Sequence, residues 1–243
     1  CVTGSAIRQK KFLRRRFLKR AYRLLFWTAV FYVYYRAEGT ITWTGWRALL
    51  NSLINFTIVP VYWFFSPLFL VYLSLPVLSR LSDDRRVLWY MTGLGFASCS
   101  VLPFVCSALQ LTYWGNFAFP MLGGYLIFAV LGYLLYTTEL SLWQRIVLYA
   151  LGAFGAVVRY FHTAIASVQE GAINKLTWEH QNWPTVLLAA AVFVFVKYAC
   201  RYPLFQREKF VRLVKWLSGA SFGIYLIHVF IMEQITYRFP SIH

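Results

Sequence analysis

The stretch "SGASFGIYLIHVFIMEQ", residues 218–234, decides what kind of fold this chain can have. Wound as an α-helix at 1.5 Å per residue, it would reach roughly 25 Å, most of the roughly 30 Å hydrocarbon thickness of a bilayer. The run is almost wholly apolar, yet it holds His228 near its middle and Glu233 near its end. Ionisable side chains at that depth are expensive, and they normally face a bundle interior or a wet cavity. The segment is therefore both a membrane span and a place to look for chemistry.

The rest of the composition agrees. Of 243 residues, 60% are hydrophobic, 20% aromatic and only 13% charged, against roughly 25% charged in an ordinary soluble domain. A chain of this length cannot hide so much apolar surface from water, so a bilayer solvates part of it. Transmembrane strands would alternate apolar and polar residues over segments of about ten, and these runs do not. The expected fold class is an all-α, polytopic transmembrane helix bundle, with residues 1–243 forming one domain in the cell membrane. The net charge of +16 does not point to nucleic acid, because the basic residues cluster in short stretches between apolar spans. Cys99 and Cys106 lie inside an apolar span, Cys200 near a basic loop and Cys1 at the first position. They read as small hydrophobes rather than a disulfide framework, and no metal is expected.

Seven crossings are expected, centred on residues 20–37, 59–79, 87–107, 118–136, 145–163, 184–200 and 217–235. The first is short between Arg23 and Arg36, and snorkelling of those arginines extends it. Pro67 and Pro76 are expected to bend the second. Nineteen of the 24 Lys and Arg residues fall in 8–23, 80–86, 137–145 and 197–217, all on one side of this topology. Only Arg36, Arg47, Arg159, Lys175 and Arg238 fall on the other. The positive-inside rule makes the first side cytoplasmic. Residues 162–183, with His162, Glu170, Glu179 and His180, become the longest external loop. Small residues mark places of close helix approach: Gly93, Gly95 and Ala97; Gly123, Gly124 and Gly132; Gly152, Gly155 and Ala156. The opening "CVTGSAI" reads either as the tail of a helix already under way or as a lipidated start. The nine basic residues that follow belong inside, which favours the helix tail.

Two features carry possible chemistry. Arg16, Lys19, Arg20 and Arg23 are spaced by three or four, so a helix gathers them into one basic stripe. Such a stripe serves either as an anchor to anionic lipid, at about 1 kcal/mol per basic residue, or as a site for a phosphorylated donor. In the last span, Ser221 and Tyr225 lie seven and three residues before His228 and share its face. Glu233 is five residues on, about 140° around the helix, and is not expected to pair with it. A hydrogen-bonded packing residue and a functional group both fit His228.

"SFGIYLIHVF", residues 221–230, resembles the late-helix signature of the integral-membrane acyltransferase 3 family, whose members include surface-polysaccharide O-acetyltransferases. "RRRFLKRAYRLLFWTAVFY" (14–32) is similar to its basic segment leading into a span. "YWFFSPLFLVYLSLPVL" (62–78) resembles its Trp-aromatic helix, and "GGYLIFAVLGYLLY" (123–136) its glycine-bearing middle helix. The resemblance implies roughly ten helical crossings, each satisfying its own backbone, with two helices before Cys1–Ile7 ends and one after residue 243. It also implies an acyl-CoA-dependent O-acyltransferase. Such an enzyme moves an acyl group, often acetyl from acetyl-CoA, to a hydroxyl of an extracytoplasmic glycan or lipid-linked saccharide. Arg16, Lys19, Arg20 and Arg23 would then face the donor phosphates, and His228 would act in a supporting role with Tyr225 and Ser221. The family's principal catalytic histidine lies in its first helix, which is not among these residues. Val61 stands where many members carry a second histidine, two residues before the tryptophan matching Trp63. Two rivals stay open: a glycan or lipid exporter on the same scaffold, and a non-catalytic membrane subunit that binds a partner enzyme.

Overall fold

The computed structural model describes residues 17–42, 45–81, 84–109, 111–115, 118, 124–174 and 176–238. Among them, all regular structure is helical. In chain order the helices are α1 (Lys19–Ala37), α2 (Trp46–Ile54), α3 (Phe65–Leu81, entered through a 3-10 turn at Pro60–Phe64) and α4 (Arg85–Phe96). A π turn at Ala97–Val101 joins α4 to α5 (Leu102–Ala108), and then come α6 (Leu126–Thr137) and α7 (Leu142–Glu170). A 3-10 turn at Leu176–Trp178 precedes α8 (Trp183–Ala199), α9 (Pro203–Gln206) and α10 (Glu208–Arg238).

Among the described residues, four stretches are long and apolar enough to cross a membrane: Pro60–Arg80, Arg85–Ala108, Leu142–Gln169 and Glu208–Arg238. The expected spans at 118–136 and 184–200 correspond to shorter apolar helices, α6 and α8. At 12 and 17 residues, they reach only about 18 Å and 26 Å. Pro67 falls in the first turn of α3, where a missing N–H leaves no hydrogen bond broken. Pro76 lies inside that helix, and the Ser79 hydroxyl donates to its carbonyl at 2.8 Å.

The chain divides into two compact units, Ser74–Arg207 and the flanking residues up to Leu73 with those from Glu208 onward. In the flanking unit, Leu24 and Phe31 of α1, Ile58, Val59, Tyr62 and Phe65, and Leu226 of α10 form one buried core. Phe31 meets Phe230 at 5.9 Å while Tyr35 meets Glu233, so α1 and α10 run parallel. Tyr62 reaches Leu226 while Phe65 meets Phe222 at 5.6 Å, so α3 runs antiparallel to α10. Helix α2, which the sequence reading left inside a connection, packs Leu49 and Leu53 on this core and leaves Trp46, Leu50 and Ile54 exposed. That is the division of a helix lying in a membrane interface.

In the central unit, α7 and α8 form a close antiparallel pair. A Cβ on Gly152 would stand 2.5 Å from the Ala191 Cβ, and one on Gly155 would stand 3.1 Å from the Pro184 Cα. Gly152 and Gly155 therefore do what their spacing suggested, whereas a Cβ added on Gly93 or Gly132 would meet nothing within 4 Å, so the close approach expected at those two is not found. Helix α7 starts at a reciprocal capping box, with Ser141 Oγ accepting from the Gln144 N–H and the Gln144 side chain accepting from the Ser141 N–H. It stops at Gly171, whose φ of 64° is the left-handed conformation that ends helices. The expected external loop at 162–183 is corrected accordingly. Nothing in 162–170 breaks a helix, so the loop begins at Gly171, and His162 packs within α7 against Phe104 at 5.7 Å.

Candidate active site

Residues 61–62 and 225–226 cross-brace each other. The Tyr62 hydroxyl donates to the Leu226 carbonyl at 2.8 Å, and the Tyr225 hydroxyl donates to the Val61 carbonyl at 2.7 Å. The 3-10 turn opened by Pro60 makes this reciprocity possible, since it presents consecutive residues to α10 before α3 settles into regular helix. In an apolar surround each hydroxyl must find an acceptor, and here each takes a carbonyl on the opposite element. Phe65 packs under the brace, with ring centroids 5.7 Å from Tyr62, 5.4 Å from Tyr225 and 5.6 Å from Phe222. Edge-to-face pairs of this kind contribute about 0.5–1.5 kcal/mol each beyond burial. At position 61 it is thus the valine's backbone carbonyl that meets the late helix.

His228 stands one turn beyond Tyr225, ring to ring at 5.2 Å, and is half-buried. Its Nδ1 lies 2.6 Å from the Tyr225 carbonyl oxygen. A carbonyl only accepts, so Nδ1 carries the hydrogen and donates. In the neutral ring the lone pair is then at Nε2, which makes no hydrogen bond among the described residues. The backbone of the helix thus fixes both the tautomer and the ring orientation, leaving one basic nitrogen available. Ser221 shares the helical face by spacing but not the packing: it is exposed, and its hydroxyl donates to the Ser218 carbonyl at 2.9 Å.

Glu233 is held away from His228, as its position around the helix requires. The Tyr35 hydroxyl donates to its carboxylate at 2.8 Å and 3.0 Å. Beside it, Gln234 donates to the Tyr34 hydroxyl at 3.0 Å, and that hydroxyl in turn donates to Glu38. The sequence offered a signal for this tyrosine–carboxylate junction, a glutamate inside an apolar run, but no means of choosing its partner.

Of the basic stripe, Arg16 lies outside the described residues. Lys19 and Arg23 are exposed, whereas the Arg20 guanidinium sits over the Tyr72 ring of α3, 5.2 Å from its centroid. Lys19, Arg20 and Arg23 occupy the first turns of α1. Phe31, which marks the level of Phe230 just past His228, lies eleven residues further along. The basic end and the histidine are therefore separated by roughly 15 Å along the helix axes.

A sequence model of the acyltransferase 3 family, described as an acyltransferase domain, matches residues 7–243. No match was found among curated proteins or among solved structures. The matched stretch takes in the brace, His228 and every described helix, so the chain belongs to the acyltransferase 3 family of integral-membrane acyltransferases.

Proposed function

We propose that the protein moves an acyl group, acetyl being the simplest, from cytoplasmic acyl-CoA to a hydroxyl of an extracytoplasmic glycan or lipid-linked saccharide at the plasma membrane. The observation that carries this reading is the fixed orientation of His228, with Nδ1 tied to the Tyr225 carbonyl and Nε2 open. O-acylation removes the proton of the acceptor hydroxyl as its oxygen bonds the acyl carbon. The thioester C–S bond breaks, and the proton ends on the CoA thiol. Such a reaction needs a group able to accept a proton near neutral pH. His228 takes a supporting part: its Nε2 lone pair accepts a hydrogen bond from the group that removes that proton and holds it in place. Tyr225 keeps the imidazole's own helix fixed against Val61.

The donor's phosphates would lie against Arg16, Lys19, Arg20 and Arg23. The roughly 15 Å of helix between that end and His228 would be bridged by the flexible arm that carries the thioester. The nineteen-to-five charge bias supports a cytoplasmic location for this end. The testing experiment is acetyl-CoA binding to the full-length protein with Arg20→Ala and Arg23→Ala combined. Charge-assisted contacts contribute about 1.5–3 kcal/mol each, so the affinity should fall more than tenfold. Membrane insertion should survive on the seven basic residues left in 8–23. Unchanged affinity would reduce the stripe to a lipid anchor, and a protein that never consumes acyl-CoA would be an exporter.

A further inference from the structure

A second cationic site lies in the central unit. Tyr198, in the last turn of α8, is locked by its hydroxyl, which accepts from the Leu140 N–H at 2.7 Å and lies 3.2 Å from Glu139 Oε2. Lys197, with only 8% of its side chain exposed, donates to the carbonyls of Leu135 and Thr138 at 3.0 Å and 2.8 Å. Arg201 pairs with Glu139 Oε1 at 2.6 Å, and its guanidinium lies 4.5 Å from the Tyr198 ring centroid. Arg145, in the first turns of α7, lies 4.1 Å from the same centroid. The two guanidinium carbons are thus closer together than about 9 Å, inside a Debye length of roughly 10 Å at moderate salt.

The charges do not balance. Glu139 pairs with both Lys197 and Arg201, and Arg145 adds a third cation over the same tyrosine. Arg145 forms no ion pair among the described residues, and its buried Nε has no hydrogen-bond partner. Arginine near a helix N-terminus also opposes the helix dipole. An anion seated against Arg145 and Arg201 removes all three difficulties. The surroundings say which anion: Tyr136, Leu142, Trp143, Tyr202 and Leu204 are exposed around the cluster, the aromatic and apolar belt of a membrane interface. We propose that Arg145 and Arg201, laid on Tyr198, bind the phosphate of an anionic phospholipid headgroup. Basic pockets between helix ends at a membrane surface suit that chemistry, and guanidinium planes match phosphate geometry. The inference rests on membrane embedding and not on acyl transfer.

The test is native mass spectrometry of the detergent-purified, delipidated full-length chain, titrated separately with phosphatidylglycerol and phosphatidylcholine. Phosphatidylglycerol should bind at least tenfold more tightly. Arg145→Gln and Arg201→Gln should each remove most of that preference, whereas the same charge loss at exposed Lys209 should not. Glu139→Gln should tighten binding severalfold, a gain that a misfolded chain cannot produce. Equal affinity for the two lipids, unchanged binding in the Arg145 and Arg201 variants, or no gain from Glu139→Gln would overturn the proposal. Displacement of the lipid by free CoA or inorganic phosphate would also overturn it, assigning the site to a soluble phosphate instead.

Discussion

His228 shows how much a single distance can settle. The Tyr225 carbonyl 2.6 Å from Nδ1 can only accept, so Nδ1 donates and the neutral ring has its lone pair at Nε2. Removing the ring should therefore affect transfer more than folding. His228→Ala is expected to lower kcat roughly 100-fold, the order produced when a reacting group loses its positioning. The KM for acceptor should stay nearly constant, the pattern of an interaction made only in the transition state. His228→Gln can place an amide oxygen near the former Nε2, so it should recover part of the loss. Full activity in the alanine variant would make His228 a packing residue. Glu139 gives a separate, pH-dependent expectation. Hydrogen bonding to Arg201, then to Tyr198 and Lys197, pulls its carboxyl down from 4.5 to about 2. Because the folded value is the lower one, its stabilisation is complete above pH 4.5 and fades as pH falls toward 2. The difference in thermal midpoint between wild type and Glu139→Gln should shrink over that window, and a constant difference would assign the effect to shape rather than charge. The residue types were readable in advance, since a histidine and a glutamate inside an apolar run announce themselves energetically. The contacts from other elements were not, because Tyr35 reaches Glu233, and Val61 accepts from the Tyr225 that neighbours His228, only between segments distant in sequence.

At the scale of elements, the α7–α8 pair has the sharpest consequence. Gly152→Ala would push a methyl to 2.5 Å from Ala191, and overpacking of this kind costs typically 1–3 kcal/mol. Ala191→Gly in the same chain should restore most of the lost stability, which a steric cause requires and a general helix effect does not. Gly219 is the control. Nothing lies within 4 Å of its added Cβ, so alanine there should stabilise α10 by about 0.5–1 kcal/mol. Thermal unfolding in detergent reads all three. The close approach at Gly152 and Gly155 was legible from small residues at helical spacing in an apolar run, but the same signal at Gly93 and Gly132 marks open space. The end of α7 was misplaced because His162 and the polar residues after it resemble a loop, whereas the helix persists until Gly171 can adopt a left-handed turn. Helix α2 was missed for the converse reason, its nine residues being too few to register as a span.

At the scale of the molecule, the charge bias and the helix directions speak to the same question from different sides. Parallel α1 and α10 with antiparallel α3 is the arrangement needed if residues 19–23 and 208–217 share one membrane face. In the central unit the issue is whether α8 crosses at all. Its 17 residues supply about 26 Å against roughly 30 Å of hydrocarbon. Local thinning of the bilayer and snorkelling absorb a mismatch of that size. Trp183 at one end and Lys197 with Tyr198 at the other are suitable interfacial anchors. Crossing would place exposed Ala172 outside and Gln206 inside. In a full-length protein cleared of its native cysteines, Ala172→Cys should react with a membrane-impermeant maleimide in intact cells. Gln206→Cys should react only after lysis. Labelling of both from outside would mean that α7 and α8 enter and leave on one face, which would reduce the crossing count and overturn the nineteen-to-five assignment. Protection of both in intact cells would place the 171–182 connection on the cytoplasmic side and overturn it equally. Opposite accessibility is the outcome that lets a cytoplasmic donor and an external acceptor be served by one bundle.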